Sequence, residues 1–372
     1  MSNTQKKNVP ELRFPEFEGE WEEKQLGNII KVNSGKDYKY LDKGDIPVYG
    51  TGGYMTSVSE PLSEIDAVGI GRKGTINKPY LLEAPFWTVD TLFYCTPKKE
   101  TDILFILSLF RKINWKVYDE STGVPSLSKQ TINKINRFVP TNKEQQKIGK
   151  FFSKLDRQIE LEEQKLELLQ QQKKGYMQKI FSQELRFKDE NGNDYPDWTN
   201  ERLGEVTTVT MGQSPKSVNY TDNSNDTVLI QGNADIENGL INPRIYTREV
   251  TKLIQKDEII LTVRAPVGKL AMAQINACIG RGVCSIKGDK FLYYFLEWFA
   301  TQNKWIRFSQ GSTFESISGN DIRNIHIKIP VEDERTKIIK LLNSLDVLNS
   351  KTDLKIQNLK QRKQSLLQKI FV

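Results

Sequence analysis

The chain has 372 residues, more than one hydrophobic core usually organises, so we expect two globular units. Lysine and arginine number 54 against 47 acidic residues, and the resulting charge of +7 and pI near 9.0 suit a polyanionic partner such as nucleic acid. The start Met1–Asn8 is too polar for a signal peptide and no apolar run reaches roughly 18 residues, so we expect a cytoplasmic protein without membrane contact.

The first half of the chain is predicted to form an α/β domain. A short apolar strand at Ala67–Ile70 is followed by an amphipathic helical stretch at Ile103–Phe110. The aromatic residues of this stretch and the nearby Trp115 follow helical spacing, so we expect them to pack in a core rather than to stack on bases.

A long helix is predicted shortly after Pro140, because proline is tolerated at a helix start and pushes the residue before it away from helix. Apolar residues then alternate at spacings of four and three, which is the heptad pattern of helices packed along a seam. Glu162 and Lys173 interrupt the seam and help to fix its register. The apolar seam positions are Ile148, Phe152, Leu155, Leu166 and Leu169.

The second half of the chain repeats this order. A predicted strand at Glu258–Val263 precedes an amphipathic stretch at Phe291–Phe299, and Pro330 precedes a second heptad run. Polar residues Asn349, Thr352 and Lys363 interrupt the run. Its apolar seam positions are Ile338, Leu342, Leu345, Ile356 and Leu359.

The two halves are an internal repeat. With a shift of 190 residues, 138–181 falls on 328–371 without a gap, and 15 of the 44 positions are identical. Near the start of each half the segment Glu11–Phe14 recurs as Glu184–Phe187, and Trp21 recurs as Trp198. The central parts, about 30–101 and 207–290, show no convincing match and differ in length. The opening segments and the long helices are therefore duplicated. The central parts, 30–101 and 207–290, are not duplicated, and we call them the inserts.

The repeat predicts how the helices run. A compact domain between them brings the end of the first helix close to the start of the second, so the helices should be antiparallel. The segment Glu184–Phe187 follows Gln178–Phe181, and Glu11–Phe14 should stand in the same way beside the terminal Gln368–Phe371, which predicts a circular, pseudo-twofold arrangement. Helices of roughly 38 residues would be about 55 Å long, or some 16 base pairs of B-DNA.

This layout resembles the specificity subunits of type I restriction-modification systems, over essentially the whole chain from about Pro10. Local phrases are also similar to the family's, namely Trp21–Gly27, Gly212–Pro215, Val263–Gly268, and the Ser-x-Ser phrases Ser126–Ser128 and Ser316–Ser318 with their downstream isoleucines. The first half departs from the pattern because it lacks a clear Gly-x-Ser-Pro phrase, which weakens any assignment of contacts there.

The resemblance implies two α/β (α+β) target-recognition domains separated by two long antiparallel coiled-coil helices. We assign the domains to 1–140 and 184–330 and the spacer helices to 141–183 and 331–372. Each domain would read one half of a bipartite asymmetric double-stranded DNA site. The helices would dock two methyltransferase subunits in a complex that also contains two restriction subunits. The partners would bind S-adenosylmethionine, ATP and Mg²⁺, and this chain would bind no cofactor or metal.

Candidate DNA contacts are basic and amide or hydroxyl side chains beside glycine, because these match base edges and phosphates where the backbone can approach closely. Solvated loops would show the same composition, so each assignment has a plain alternative. Ser126, Ser128, Ser316 and Ser318 recur in both halves and are better explained as turn or helix-cap residues. The candidates are Arg72, Lys73, Lys78, Lys129, Gln130, Gln213, Ser214, Lys216, Gln231, Asn233, Arg264, Lys269, Ser312 and Thr313.

Enzyme motifs are weak. The Gly-x-Gly-x-x-Gly at Gly69–Gly74 is followed by Pro79 rather than by an opening helix, and Asn77–Tyr80 only approaches a methyltransferase phrase. The single histidine, His326, lies in a predicted strand. Three cysteines without zinc-ligand spacing are expected to be reduced core thiols. Two other classes stay open: a coiled-coil scaffold that does not touch DNA, and a self-sufficient methyltransferase or nuclease.

Overall fold

The computed structural model describes residues 8–305 and 316–372. The chain divides into two compact units, unit 1 with Met1–Gln164 and Asp353–Val372, and unit 2 with Lys165–Thr352. Each unit combines short strands with short helices and with parts of both long helices. The prediction of two α/β units with long helices is therefore confirmed.

Unit 1 has a core built around strand β5, which is buried along its whole length and packs against α2. Its elements are β1 (Glu22–Gln25), α1 (Leu26–Ile29), β2 (Ile30–Ser34), β3 (Ile46–Gly50), β4 (Gly53–Val58), β5 (Ala67–Gly71), β6 (Tyr80–Leu82), β7 (Trp87–Thr88), β8 (Leu92–Pro97), α2 (Ile103–Lys112), a 3₁₀ turn (Trp115–Tyr118), α3 (Lys129–Lys134), β9 (Asn136–Val139) and the first part of α4 (Asn142–Phe181).

Unit 2 has the same plan with a larger insert. Its elements are β10 (Thr199–Arg202), α5 (Leu203–Val206), β11 (Val209–Met211), a 3₁₀ turn (Ser217–Asn219), β12 (Tyr220–Thr221), β13 (Thr227–Ile230), a 3₁₀ turn (Asn233–Asp235), β14 (Ile236–Glu237), β15 (Leu240–Ile241), β16 (Tyr246–Thr247), β17 (Leu253–Ile254), β18 (Ile259–Thr262), β19 (Leu270–Met272), β20 (Ala277–Ile279), β21 (Val283–Ile286), α6 (Lys290–Thr301), α7 (Gly319–Arg323), β22 (His326–Ile329) and the first part of α8 (Glu332–Ile370).

The two units share sheet topology inside inserts that have no sequence match. An antiparallel sheet in the order β2-β8-β5-β6 in unit 1 corresponds to β11-β21-β18-β19 in unit 2. A second sheet contains one parallel pair in each unit, β3 with β7 and β13 with β20. Each unit also has a short two-stranded antiparallel ribbon, formed by β1 with β9 in unit 1 and by β10 with β22 in unit 2. The inserts therefore differ in length and in side chains, but their main sheets have the same strand order.

The aromatic residues of the two amphipathic stretches lie in the cores, as predicted. Phe105, Phe110 and Trp115 are at most 1% exposed, and the Phe110 and Trp115 rings meet edge-to-face at 5.0 Å. Trp305 and Phe299 make the corresponding contact in unit 2 at 4.8 Å. Rings of this size bury large apolar areas, so they contribute strongly to the stability of each core.

The long helices run antiparallel within each unit. In unit 1 Asp156 and Glu163 of α4 form ion pairs with Lys363 and Lys360 of α8, so the numbers rise along one helix as they fall along the other. In unit 2 Lys173 of α4 lies 2.7 Å from Asp346 of α8. Asp156 and Lys173 are repeated as Asp346 and Lys363, so the same pair occurs in both units with the helices exchanged.

Seam burial is strongest where each helix enters a domain core. The start of α4 and the end of α8 lie in the core of unit 1, whereas the end of α4 and the start of α8 lie in the core of unit 2. Among the predicted seam positions, Leu155, Leu166, Leu169 and Leu359 are half-buried. The buried ones are Ile148, Phe152, Ile338, Leu342, Leu345 and Ile356.

A buried glutamate lies in the first turn of α4. Glu144 is 1% exposed, and its carboxylate accepts hydrogen bonds from Arg13 Nε at 2.9 Å, from Arg13 Nη2 at 2.7 Å and from Trp21 Nε1 at 3.3 Å. Both donors belong to the repeated opening segment, so this glutamate ties the start of a half to the start of its helix. Unit 2 repeats the arrangement with Glu334, Arg186 and Trp198.

The circular relation of the repeat is confirmed within unit 1. The Leu12 amide donates to the Lys369 carbonyl at 3.0 Å, as the Leu185 amide donates to the Lys179 carbonyl at 3.0 Å in unit 2. Phe371 packs against Trp21 in the same core. The opening segment of the chain therefore contacts the end of α8 as its repeat contacts the end of α4.

Two glycines of α4 provide a matched stability test. A Cβ at Gly149 would lie 2.5 Å from Asp102 Oδ1 and 2.8 Å from the Phe105 amide nitrogen, at the capped start of α2, whereas a Cβ at Gly175 would meet nothing within 4 Å. We expect Gly149→Ala to lower the free energy of unfolding by about 1–3 kcal/mol through overpacking. Gly175→Ala should raise it by about 1 kcal/mol through helix propensity. Urea unfolding followed by circular dichroism measures both, and equal effects would contradict the close packing of α4 on α2.

Cys95, Cys278 and Cys284 are free and buried, which confirms the prediction of reduced core thiols. Burial raises the pKa of the Cys284 thiol to about 12 and raises the pKa of Cys95 as well. The thiols of Cys95 and Cys284 are therefore protonated at neutral pH. Among the described residues, no helix is both long enough and apolar enough to span a membrane.

Candidate nucleic-acid interface

Unit 1 has an open cleft at the end of β5 that gathers basic side chains. Arg72 and Lys73 follow the strand, and Lys129 reaches the cleft from the first turn of α3. The Arg72 guanidinium lies 5.9 Å and the Lys129 amino group 6.0 Å from the centre of the Phe93 ring, which forms the apolar floor. Ser34, at the end of β2, completes the lining. Three exposed cations beside an aromatic ring make this cleft suitable for an anionic ligand.

A rigid turn forms one wall of this cleft. The side chain of Ser128 caps α3 by accepting from the Thr131 amide at 3.1 Å, which confirms the predicted cap role. The Asp119 carboxylate accepts from the Ser126 amide at 2.9 Å, and the Glu120 carboxylate accepts from the hydroxyl groups of Thr131 and Ser128. These hydrogen bonds hold the pKa of Asp119 and of Glu120 below its usual range, so both groups stay ionised at neutral pH.

Unit 2 has a cleft at the end of β18, the equivalent of β5. Gln231 and Asn233 follow β13, and Arg281 precedes β21. The Ser214 side chain accepts from the Arg281 amide at 3.1 Å, and Arg264 points from the strand end into the same cleft. Amide and guanidinium groups are the side chains that read base edges, so this cleft has the composition of a base-reading surface.

The loop that carries Gln231 and Asn233 is held from beneath. The buried Asp235 carboxylate accepts from the amides of Gln231 at 2.8 Å and of Gly232 at 3.1 Å. Lys269 donates its amino group to the carbonyls of Asn233 at 3.2 Å and of Ile236 at 2.6 Å. Lys269, selected from the sequence as a DNA contact, therefore donates two hydrogen bonds to the loop backbone and holds that loop in place.

The two clefts are built on one hydrogen-bond frame. The Gly35 amide donates to Leu92 and the Lys36 amide to Thr88 in unit 1, as Gly212 donates to Val283 and Gln213 to Ile279 in unit 2. The Ser34–Lys36 segment therefore occupies the place of Met211–Gln213. The first half thus has a counterpart of the Gly-x-Ser-Pro segment, although its sequence does not show one.

The other sequence-predicted residues lie outside these clefts. Lys78, Gln130, Gln213 and Lys216 are exposed, but they do not line either described cleft. Ser312 and Thr313 lie outside the described residues. Several residues that line the clefts were not selected from the sequence, and Ser34, Phe93 and Arg281 are among them. Arg281 lies between Gly280 and Gly282 and so met the criterion of a cation beside glycine.

The enzyme motifs find no supporting geometry. The segment Gly69–Gly74 is the end of β5 and a loop, and it does not open a helix. His326 lies in strand β22, as predicted, where its Nδ1 is 3.4 Å from the side-chain Nδ2 of Asn200. Among residues 8–305 and 316–372, no group of three or more histidine, cysteine or acidic side chains could hold a metal ion.

Each of the two α/β units has an open cleft lined by basic, amide or hydroxyl side chains, a composition suited to an anionic ligand such as nucleic acid. The family model described as the type I restriction modification DNA specificity domain matches residues 18–171 and 195–361. The chain therefore belongs to the type I restriction-modification specificity family, whose members carry DNA-recognition domains.

Relatives and solved structures agree with this family. A protein of Methanocaldococcus jannaschii assigned as the specificity subunit of the type I restriction enzyme MjaX is 30% identical over 66% of this chain, and the match spans 61% of that protein. The MjaVIII specificity subunit of the same organism is 24% identical over 92% of this chain and 89% of its own length.

The fold is that of solved specificity subunits. The type I restriction-modification S subunit from M. genitalium matches 98% of this chain and 99% of its own length, with a TM-score of 0.68 at 15% identity. A chain from a structure on complex assembly and conformational transition of the type I R-M system matches 94% of this chain and 97% of its own, with a TM-score of 0.59 at 19% identity.

Proposed function

We propose that this chain is the non-catalytic DNA-reading subunit of a type I restriction-modification complex and that it recognises a bipartite, asymmetric site in double-stranded DNA. The domains 1–140 and 184–330 each read one half-site. The spacer helices 141–183 and 331–372 set the number of unread base pairs between them. Readout of this kind directs adenine methylation and DNA cleavage, which the partner subunits perform.

The observation that carries this proposal is the pair of clefts. They share a backbone frame, yet one is lined by three cations and the other by glutamine, asparagine, serine and arginine side chains. A shared frame with different base-facing groups is what two different half-sites require, because base edges are distinguished by donor and acceptor pattern.

The partners in this proposal are two methyltransferase subunits and two restriction subunits. They supply S-adenosylmethionine, ATP and Mg²⁺ chemistry, and the family membership of the chain supports that division of labour. The 40-residue helix α4 would be about 60 Å long, which suits a spacer between separated DNA contacts.

The test is an exchange of one insert in the full chain, expressed with its methyltransferase subunit. Replacing 207–290 by the insert of another family member should change one half of the genomic adenine-methylation motif and leave the other half intact. Replacing 30–101 is the matched control and should change only the opposite half. Absence of methylation from an assembled complex, or a motif that ignores both exchanges, would favour the scaffold that does not touch DNA.

A further inference from the structure

One position carries a cation in both units despite unrelated local sequences. The Leu127 amide donates to the Arg72 carbonyl at 2.9 Å, as the Ile317 amide donates to the Val263 carbonyl at 3.0 Å. The next residue, Lys73 in unit 1 and Arg264 in unit 2, then forms an isolated β-bridge with the first serine of each Ser-x-Ser turn. Lys73 and Arg264 are therefore structural equivalents.

Within the described part of the chain, neither cation is bonded to another group of the protein. Both side chains are exposed, and across residues 8–305 and 316–372 neither the Lys73 amino group nor the Arg264 guanidinium forms a hydrogen bond or an ion pair. A cation held at a fixed strand end without a partner is available to an external anion. The position adjoins the described cleft in each unit.

The equivalent positions around this cation differ in chemistry. The Val89 amide donates to the Tyr49 carbonyl and the Gly280 amide to the Ile230 carbonyl, which aligns the two inserts on both sides of the cleft. By this alignment, together with that of Lys36 and Gln213, the residues that follow the aligned positions have different side chains in the two units. The differing pairs are Gly50 with Gln231, Gly52 with Asn233, Asp37 with Ser214, and Asp90 with Arg281.

We infer that Lys73 and Arg264 are sequence-independent phosphate anchors and that the differing positions beside them, Asn233 and Arg281 foremost, read bases. The inference rests on the proposed function and assigns residues within it. A residue common to two domains that read different half-sites carries no sequence information, but it can bind the phosphate that every sequence presents. Aspartate and arginine at one position would favour opposite base-edge groups, since a carboxylate accepts and a guanidinium donates.

The test uses the full chain assembled with its methyltransferase subunits. The variants are Lys73→Ala, Lys73→Gln, Arg264→Ala and the charge-preserving Lys73→Arg. Fluorescence anisotropy over a salt series measures the affinity for two DNA duplexes. One contains the sequence motif at which the complex methylates DNA, and the other lacks it. Each loss of charge should weaken both affinities about tenfold, reduce the salt slope by about 1, and leave the methylation motif unchanged. Lys73→Arg should keep the affinity.

Arg281→Ala and Asn233→Ala are the contrasting variants. Each should relax one or two positions of one half of the motif, with discrimination lost about 10- to 100-fold, and should change binding to the unrelated duplex little. A motif altered by Lys73→Gln, or affinities unchanged by both Lys73→Ala and Arg264→Ala, would overturn the assignment of anchors. An unmutated complex that shows no preference between the duplexes would instead overturn the proposed function, and the affinities would still judge the anchors.

Discussion

Replacing Glu144 with alanine is expected to lower the free energy of unfolding of unit 1 by about 3–5 kcal/mol. The carboxylate is buried and is the common acceptor for Arg13 and Trp21, whose side chains come from the opening segment. Its removal leaves a guanidinium that is 13% exposed without its counter-ion and an indole N–H without its acceptor. The loss of partners, more than the loss of attraction, makes the change costly.

Urea unfolding followed by tryptophan fluorescence measures this effect. The matched control is Glu160→Ala on the same helix, where an exposed ion pair with Arg157 is worth only about 0.3–0.5 kcal/mol. Glu334→Ala should reproduce the large effect in unit 2, because Arg186 and Trp198 bond that carboxylate in the same way. If both Glu144→Ala and Glu334→Ala lowered the free energy of unfolding by less than about 1 kcal/mol, the glutamate–arginine pairs would not fix the starts of the helices.

Gly212→Ala is expected to abolish readout by unit 2 while readout by unit 1 persists. A Cβ at this position would lie 2.1 Å from the Gly280 carbonyl oxygen and 2.8 Å from that of Val283. Both neighbours are backbone atoms of the strand pairing that supports the cleft, so the clash displaces the frame rather than a flexible side chain. Overpacking of this kind lowers stability by about 1–3 kcal/mol. The distortion should fall on the segment that carries Ser214.

The methylation motif of the variant complex measures the result, and one half of the motif should disappear. Gly232→Ala is the matched control within the same cleft, because its Cβ would meet nothing within 4 Å and its backbone is extended at φ 174°. Gly35→Ala, with a Cβ 2.0 Å from the Val89 carbonyl oxygen, should remove the opposite half. An intact motif with Gly212→Ala, or one lost equally with Gly232→Ala, would contradict this account.

The long helices, the circular repeat and the two α/β cores could be predicted because their signals are periodic or duplicated side chains. The heptads, the repeated Trp21 and Trp198, and the aromatic stretches all report burial, which selects side-chain type directly. The helix-cap role of Ser128 was also predictable, since a residue shared by both halves is more easily explained by a common turn than by different base contacts.

The structural correspondence between the two inserts could not be predicted from the sequence, because it shows only in their backbone hydrogen bonds. Gly35 and Gly212 correspond at a shift of 177, whereas Lys73 and Arg264 correspond at a shift of 191, so no single alignment of side chains reveals both. Lys269 shows a second limit of the sequence. A lysine beside glycine was selected as a DNA contact, but the sequence does not reveal that its amino group donates to backbone carbonyl oxygens.

The division of the chain has a consequence for its synthesis on the ribosome. Unit 2 is one continuous stretch, Lys165–Thr352, whereas unit 1 needs Asp353–Val372 to complete a core that includes Leu367, Ile370 and Phe371. The core of unit 1 can therefore be completed only after the roughly 190 residues of unit 2 have been translated, although most of unit 1 is translated first. A nonsense or frameshift lesion in the last turns of α8 would therefore damage the core of unit 1, most of which is encoded at the other end of the gene.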